Sequence, residues 1–405
     1  MTETVIIIGA GQAGAQAVVS LRQSGFQGAI VMIGEEPALP YQRPPLSKAY
    51  LKGELAEARL YLRPEEFYKT QNVELRLGEK VVRIDRGGKT VLTEKGGRLS
   101  YDKLLLATGA PPRRIDAPGA DLDGIHYLRT LADSDALRPL LAAEGRVVII
   151  GAGYVGLEVA AVARQAGRDV TVLEMADRVL ARVASKPVSV FYEALHRDAG
   201  VELRLGATVE GFVGGDALEG VKLTGGEVID CAAALVGIGA VPEVTLAAEA
   251  GLEIANGVVV DEHARTSDPD IWAAGDCTNF PSPRYSRRMR LESVPNAIEQ
   301  AKAAGANMAG GAVVYDALPW FWSDQYDVKL QTAGLMEGFD NMVVRGDPQI
   351  KRFAVWYLKD GKALAVDAIN DPASFVIGKR LIESGAAIDP DKLADVSVDL
   401  KTLAT

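Results

Sequence analysis

Two ten-residue segments agree at seven of ten positions: Val-Ile-Ile-Ile-Gly-Ala-Gly-Gln-Ala-Gly at 5–14 and Val-Val-Ile-Ile-Gly-Ala-Gly-Tyr-Val-Gly at 147–156. Each is an apolar, β-branched run that breaks into Gly-x-Gly-x-x-Gly. Such a run predicts a buried strand, and residues 15–24 predict a helix after the first copy. The first glycine of each copy (Gly9, Gly151) permits a tight turn. The middle one (Gly11, Gly153) removes the side chain that would block a pyrophosphate, and the third (Gly14, Gly156) lets the helix pack close to the strand. The helix N-terminus then offers free N–H groups and a positive dipole end to the phosphates. Two such units in one chain predict an α/β protein with two Rossmann-like domains, built to bring two different dinucleotides face to face.

An acid at the end of the second strand meets a ribose hydroxyl in this kind of unit. In the first copy that residue is Glu35, 21 residues after Gly14, with Glu36 beside it as the competing choice. In the second copy it is Glu174, 18 residues after Gly156. A carboxylate there accepts from the 2′-OH of NADH and repels the 2′-phosphate of NADPH, so NADH is expected. Arg178 and Arg182 keep the alternative open. Glu158 falls in the first turn predicted after Gly156, where an acid complements the helix dipole or else faces a nicotinamide and pairs with a cation.

The 405 residues allow two or three domains. A formal charge of −10 excludes a general nucleic-acid binder. No apolar stretch suits a bilayer span, and the N-terminus lacks a basic leader, so no membrane association is expected. The two cysteines, Cys231 and Cys277, form no Cys-x-x-Cys, which points to a reducing, cytoplasmic setting. His126, His196 and His263 show no metal-ligand spacing and read as loop or helix-surface residues; no metal is expected.

Elsewhere, three prolines in 40–45 predict a loop without regular structure before Ser47, carrying the cations Arg43 and Lys48. Residues 73–77, 81–84 and 90–93 predict short strands of a small meander. Residues 99–109 form another buried strand ending in Ala107-Thr108-Gly109. Residues 232–239 and 271–277 repeat the pattern of a strand running into glycine, the first ending at Gly239 and the second followed by Asp276. The run Arg284-Tyr285-Ser286-Arg287-Arg288-Met289-Arg290 holds four arginines and no acid. In an acidic chain that reversal suggests a docking patch for an acidic partner, against a plain solvated loop. From Trp320 onward, strands at 328–335, 340–346, 350–358 and 363–369, then two helices, predict a third domain of α+β type.

Taken together, these blocks resemble the flavoprotein ferredoxin reductases of oxygenase systems, the family that includes putidaredoxin reductase and the reductase components of ring-hydroxylating dioxygenases. The resemblance covers the whole chain. Its specific blocks are Arg-Pro-Pro-Leu-Ser-Lys at 43–48 and Trp-Phe-Trp-Ser-Asp-Gln at 320–325. It implies a glutathione-reductase-like fold with a discontinuous FAD-binding domain (1–113 and 243–318), an NADH-binding domain (114–242) and a C-terminal α+β domain (319–405). Gly9, Gly11, Gly14, Glu35, Arg43, Lys48, Thr108, Gly109 and Asp276 would hold FAD, with residues 294–297, from Val294 to Ala297, by the pyrimidine end of the flavin. Gly151, Gly153, Gly156, Glu158, Glu174 and Gly239 would serve NADH. Lys48 and Glu158 resemble the family's cross-domain pair beside the flavin N5 and the nicotinamide. Trp322, ahead of Trp320, would lie by the flavin.

The implied activity is a hydride from NADH to FAD, followed by single electrons to a small acidic [2Fe-2S] ferredoxin that feeds an oxygenase. Arg287, Arg288 and Arg290 are the expected docking contacts. Disulfide reductases and NADH oxidases of the same architecture carry redox cysteines in the loop where this chain has residues 44–48, and none stands there. The alternatives are an NADH oxidase or quinone-type reductase with a small acceptor, and a redox-sensing interaction protein like apoptosis-inducing factor.

Overall fold

The computed structural model describes residues 3–142 and 144–403. The chain divides into two compact units. One comprises Met1–Gln42, Glu57–Pro111 and Val241–Pro319; the other comprises Arg43–Ala56, Pro112–Ala240 and Trp320–Thr405.

The first unit is organised on a five-stranded parallel sheet. Its order is Ile271–Ala273, Lys103–Leu106, Thr4–Ile8, Ala29–Gly34, Val73–Leu77. Val5, Ile6 and Ile7 are fully buried, as a continuous β-branched run in a central parallel strand requires. The helices Gln12–Gln23 and Val294–Met308 pack closely, because Gly305 leaves room for Ser20: a Cβ at 305 would stand 2.7 Å from that of Ser20. Ser293 caps the second helix, its Oγ accepting from the Asn296 N–H. The expected meander exists as Val81–Asp85, Thr90–Thr93 and Arg98–Ser100. Val73–Leu77 is not part of it. That strand pairs in parallel with Ala29–Gly34, because the helix Glu65–Thr70 before it supplies the crossover that a parallel neighbour needs.

The second unit repeats the design. Its parallel sheet runs Glu202–Leu205, Val170–Glu174, Val147–Ile150, Ala233–Val236, Ile125–His126. It also contains an antiparallel sheet ordered Trp320–Gln325, Val328–Gly334, Lys362–Ile369, Arg352–Lys359, Asn341–Asp347. The strand Trp320–Gln325 is thus a fifth member of the expected C-terminal meander. Helix Pro372–Ser384 lies against that sheet, where Gly378 allows the approach of Val366. A single buried cluster joins Ile149, Val172, Leu157 and Tyr192 to Val328, Phe353, Tyr357 and Ile369.

The chain changes unit at 111/112, 240/241 and 319/320, residues 320–405 share a unit with 112–240 where three domains were expected, and 43–56 also belongs to that second unit. The reason is local bonding. Ser134 Oγ donates to the Leu46 carbonyl (2.9 Å), the Tyr50 hydroxyl donates to Asp135 (2.8 Å), Arg138 donates to the Tyr50 carbonyl (2.8 Å), and Leu51 is buried in the second unit's core. The loop itself is more regular than three prolines suggest. Pro44–Ser47 is a 3-10 turn with proline at its first positions, where a fixed φ is an advantage and no N–H is missed. Among the described residues no helix is long and apolar enough to cross a membrane.

Candidate active site

In both glycine loops the outer glycines are packed against backbone and the middle one is open. A Cβ on Gly9 (φ +114) would lie 2.2 Å from the Ala107 carbonyl oxygen, and one on Gly14 would lie 2.1 Å from the Gly9 oxygen. The second copy matches: 2.4 Å from Gly151 (φ +103) to the Gly237 oxygen, and 2.2 Å from Gly156 to the Gly151 oxygen. A Cβ on Gly11 or Gly153 would meet nothing within 4 Å. Each middle glycine is the N-cap of its helix with no side-chain cap, so the first N–H groups of both helices face a space that a Cβ would fill. That space fits a pyrophosphate, and in this respect both cradles fit a dinucleotide.

Other expected first-unit residues gather at the first cradle. Gly275 (φ +90) follows strand Ile271–Ala273, and a Cβ on it would touch Ala13 (3.3 Å) and Ala297 (3.8 Å). Asp276 is the next residue, and Val294 opens the helix that carries Ala297. Gln300, which sequence reasoning passed over, accepts from the Gly275 N–H (2.8 Å) and from Thr278 Oγ1 (2.8 Å), holding that turn. Thr108 and Gly109 fasten the chain where it re-enters the unit: Thr108 Oγ1 donates to the Glu243 carbonyl (2.7 Å), and the Glu243 N–H donates to Gly109 (2.9 Å). Glu35 stands exposed just past its strand, 3.1 Å from Lys80 Nζ, while Glu36 accepts from the Tyr41 hydroxyl. Arg43 and Lys48, expected with this group, sit in the second unit, where Arg43 donates to the Arg129 carbonyl (2.6 Å).

In the second unit Glu174 lies against the glycine loop. Its Oε2 accepts from the Ala152 N–H (2.7 Å) and its Oε1 from the Ala176 N–H (2.9 Å). Arg178 is committed elsewhere, donating to the carbonyls of Ala181 and Ala184 and to Ser189 Oγ. Its guanidinium is held within its own segment and against Ser189. Arg182 lies at Gly239 (φ +106), where a Cβ would stand 3.2 Å from the guanidinium.

Glu158 lies beyond the first turn where the sequence places it, and it pairs with a cation, as the second of its two expected roles has it. The helix begins at Tyr154 (Tyr154–Gln165), so Glu158 sits one turn further in and is 3% exposed. Its Oε2 accepts from Lys48 Nζ (2.6 Å) and Ser47 Oγ (2.5 Å), and its Oε1 from Ser323 Oγ (2.6 Å). Ser47 and Ser323 were missed as site residues, although both lie inside the blocks 43–48 and 320–325. The signal was the two-residue alternation of a strand, which puts Phe321, Ser323 and Gln325 on one face. Phe321 packs on Tyr154 with ring centroids 4.6 Å apart. On the other face Trp322 lies 5.5 Å from Trp320, which also meets Phe375 and Lys379. His196, expected on a helix surface, is fully buried, because helix Lys186–Asp198 turns that face to Gln325 and Tyr326.

The arginine run is partly a hairpin. Arg287–Met289 pairs antiparallel with Thr278–Ser282. Arg288 donates to Asn279 Oδ1 (2.9 Å) and to the carbonyls of Val260 and Asn279 (2.6 Å each); Arg290 pairs with Glu292 (2.6 Å) and donates to the Asp276 carbonyl. Two of the three expected docking arginines, Arg288 and Arg290, therefore bond within the first unit, although Arg288 is exposed like Arg287. Both cysteines are buried. Burial pushes the Cys231 thiol up to about 11 and raises that of Cys277, which donates to the carbonyls of Ala274 and Leu106.

Residues 3–301 match the family described as pyridine nucleotide-disulphide oxidoreductase, and residues 320–404 match the domain described as reductase C-terminal. The chain is 44% identical over 407 residues to putidaredoxin reductase CamA of Pseudomonas putida, covering 99% of this chain and 96% of that one. Its fold superposes on the ferredoxin reductase for the CYP199A2 system from Rhodopseudomonas palustris with a TM-score of 0.97, at 44% identity over the full length of both chains. The reductase in a covalent putidaredoxin reductase–putidaredoxin complex gives 0.96 at 43% identity, covering 99% of this chain and 98% of that one.

Proposed function

The chain belongs to the pyridine nucleotide-disulphide oxidoreductase family, and on that premise we propose that it is an FAD-dependent NADH reductase whose electron acceptor is an acidic [2Fe-2S] ferredoxin feeding an oxygenase. Bound FAD supplies the redox chemistry, taking two electrons as a hydride and giving them up one at a time. The protein's part is to bind, align and tune. Gly9, Gly11, Gly14, Glu35, Thr108, Gly109, Asp276, Val294 and Ala297 are assigned to FAD. Gly151, Gly153, Gly156, Glu174 and Gly239 are assigned to NADH. The Lys48–Glu158 pair is assigned to the hydride-transfer step, with Trp322 as the aromatic beside it in role.

The observation that carries this reading is the pair of glycine loops whose middle members alone face open space. One such loop would fit many dinucleotide binders; two in one chain fit a protein that couples two dinucleotides. The ferredoxin is chosen because the similar proteins are reductases for such carriers by name, and because both thiols are buried and the loop 43–48 holds none, which leaves no sulfur route out.

The test is anaerobic titration of the purified yellow protein with NADH, followed by cytochrome c reduction with and without a [2Fe-2S] ferredoxin. Bleaching by NADH and ferredoxin-dependent reduction are expected. A colourless protein, or one that NADH does not bleach, would end the reading; equal rates without ferredoxin would shift it to a small acceptor.

A further inference from the structure

We propose that Ser323, Gln325, His196 and Tyr326 form a one-way hydrogen-bond chain that positions the Glu158 carboxylate; its role in hydride transfer rests on the function proposed above.

The direction of the chain follows from what each group can do. A carboxylate only accepts, so Ser323 Oγ donates to Glu158 Oε1 (2.6 Å). Its proton spent, Ser323 Oγ accepts from Gln325 Nε2 (3.2 Å). The other end of that amide, Oε1, accepts from His196 Nε2 (2.8 Å), so the proton of the imidazole is on Nε2. Nδ1 is then an acceptor, facing the Tyr326 hydroxyl at 3.3 Å. Burial holds His196 neutral by lowering its pKa to about 4. Ser323, Gln325 and His196 are all buried, so water does not compete for these groups.

Each member removes a freedom of the one before it. Without Gln325, the Ser323 hydroxyl could rotate. Without His196, the amide could flip. Without Tyr326, the imidazole could change tautomer. The outcome is that Glu158 Oε1 is held from one strand, while Ser47 and Lys48 hold Oε2 from another segment. A carboxylate gripped at both oxygens cannot turn about its terminal bond. The amide in the middle is no proton carrier, so these are positioning residues.

Two measurements test this on the flavin-loaded protein. Nitrogen-15 spectra of histidine-labelled protein, with His196→Gln to identify the signal, should show His196 neutral with Nε2 protonated from pH 6 to 8. A proton on Nδ1, or an imidazolium, would overturn the chain. In anaerobic stopped-flow with NADH, Ser323→Ala should slow flavin reduction about tenfold, the scale of one hydrogen bond to a charged group, and Gln325→Ala should slow it in the same direction, both with little change in the NADH concentration for half-maximal rate. Ser323→Thr, which keeps the hydroxyl, should restore the rate. Wild-type rates in Ser323→Ala would overturn the positioning role. If a variant fails to fold, the tautomer of the unaltered protein still decides. A wild-type protein that NADH does not reduce would overturn the reductase reading instead, while the Nε2 tautomer would still support the chain.

Discussion

Glu174 Oε2 accepts from the backbone N–H of Ala152 at 2.7 Å, so the acid at the end of one strand is held against the glycine loop at the end of its neighbour. The second oxygen is held by Ala176. This fixes the carboxylate beside the second glycine loop. Glu174→Ala should narrow the preference for NADH over NADPH, by about tenfold for the loss of one such repulsion and its hydrogen bonds. The ratio of kcat/KM for the two nucleotides measures it, and an unchanged ratio would remove Glu174 from cofactor selection.

The glycine loops make a sharper forecast. Gly9→Ala and Gly14→Ala drive a Cβ to within 2.2 Å of backbone and should fail to fold, whereas Gly11→Ala meets nothing of the protein. Gly11 has an extended backbone (φ −97, ψ −159) that alanine adopts freely. That variant should purify with a normal circular dichroism spectrum and little bound flavin. Full retention of flavin would mean that the open space is not the phosphate site.

Lys48→Met should act on both stability and rate. Glu158 is buried and would keep only its two serine donors. Leaving such a carboxylate without its cation costs about 2–3 kcal/mol, visible as a lower melting temperature, and NADH-dependent bleaching should slow. A variant matching the wild type in both would return Lys48 to a solvated loop.

Arg287 and Arg288 are both exposed, and Arg288 bonds to Asn279 and Val260 within the first unit. Arg288→Glu forfeits three hydrogen bonds within the first unit and should cost about 1–2 kcal/mol of stability, so it is a poor probe of docking. Arg287→Glu probes docking from the neighbouring exposed position. It should slow ferredoxin-dependent turnover at low salt and less so at high salt. NADH–ferricyanide activity measured alongside locates the damage: a fall there too would place it in the reductase reaction rather than in docking.

Two buried groups pull stability in opposite directions with pH. His196 titrates near 4 when folded against about 6.5 when unfolded. Between those values the unfolded chain binds more protons, so this contribution is lost as pH falls. Asp367 is the reverse: burial raises it from 3.8 to about 7, so the folded state binds more protons and the contribution is lost as pH rises. Melting curves from pH 4 to 7 should steepen upward with pH in Asp367→Asn, where His196 acts unopposed, and slope downward in His196→Gln. Parallel curves for all three proteins would contradict these assignments.

Much of the architecture was legible because it is written locally. The β-branched runs, the glycines that only positive φ or close packing explains, and the acids at the strand ends act within a few residues of one another. They located both glycine loops, the strand-end acids Glu35 and Glu174, and four of the five strands of the C-terminal sheet. Even here short range misled twice: proline placement allowed a 3-10 turn at Pro44–Ser47, and a helix start at Tyr154 moved Glu158 inside.

What the sequence alone determined, then, is a chain with two glycine loops of dinucleotide-binding type and no thiol in residues 43–48. Which donors grip Glu158, why His196 is buried, and that Arg288 is spent on Val260 and Asn279 were decided only by tertiary structure. The reason is physical. Backbone conformation and strand pattern are set by neighbours along the chain, whereas a side chain's hydrogen-bond partner is whichever distant segment packing delivers to it. Ser323 and Glu158, 165 positions apart, could be paired by no local rule.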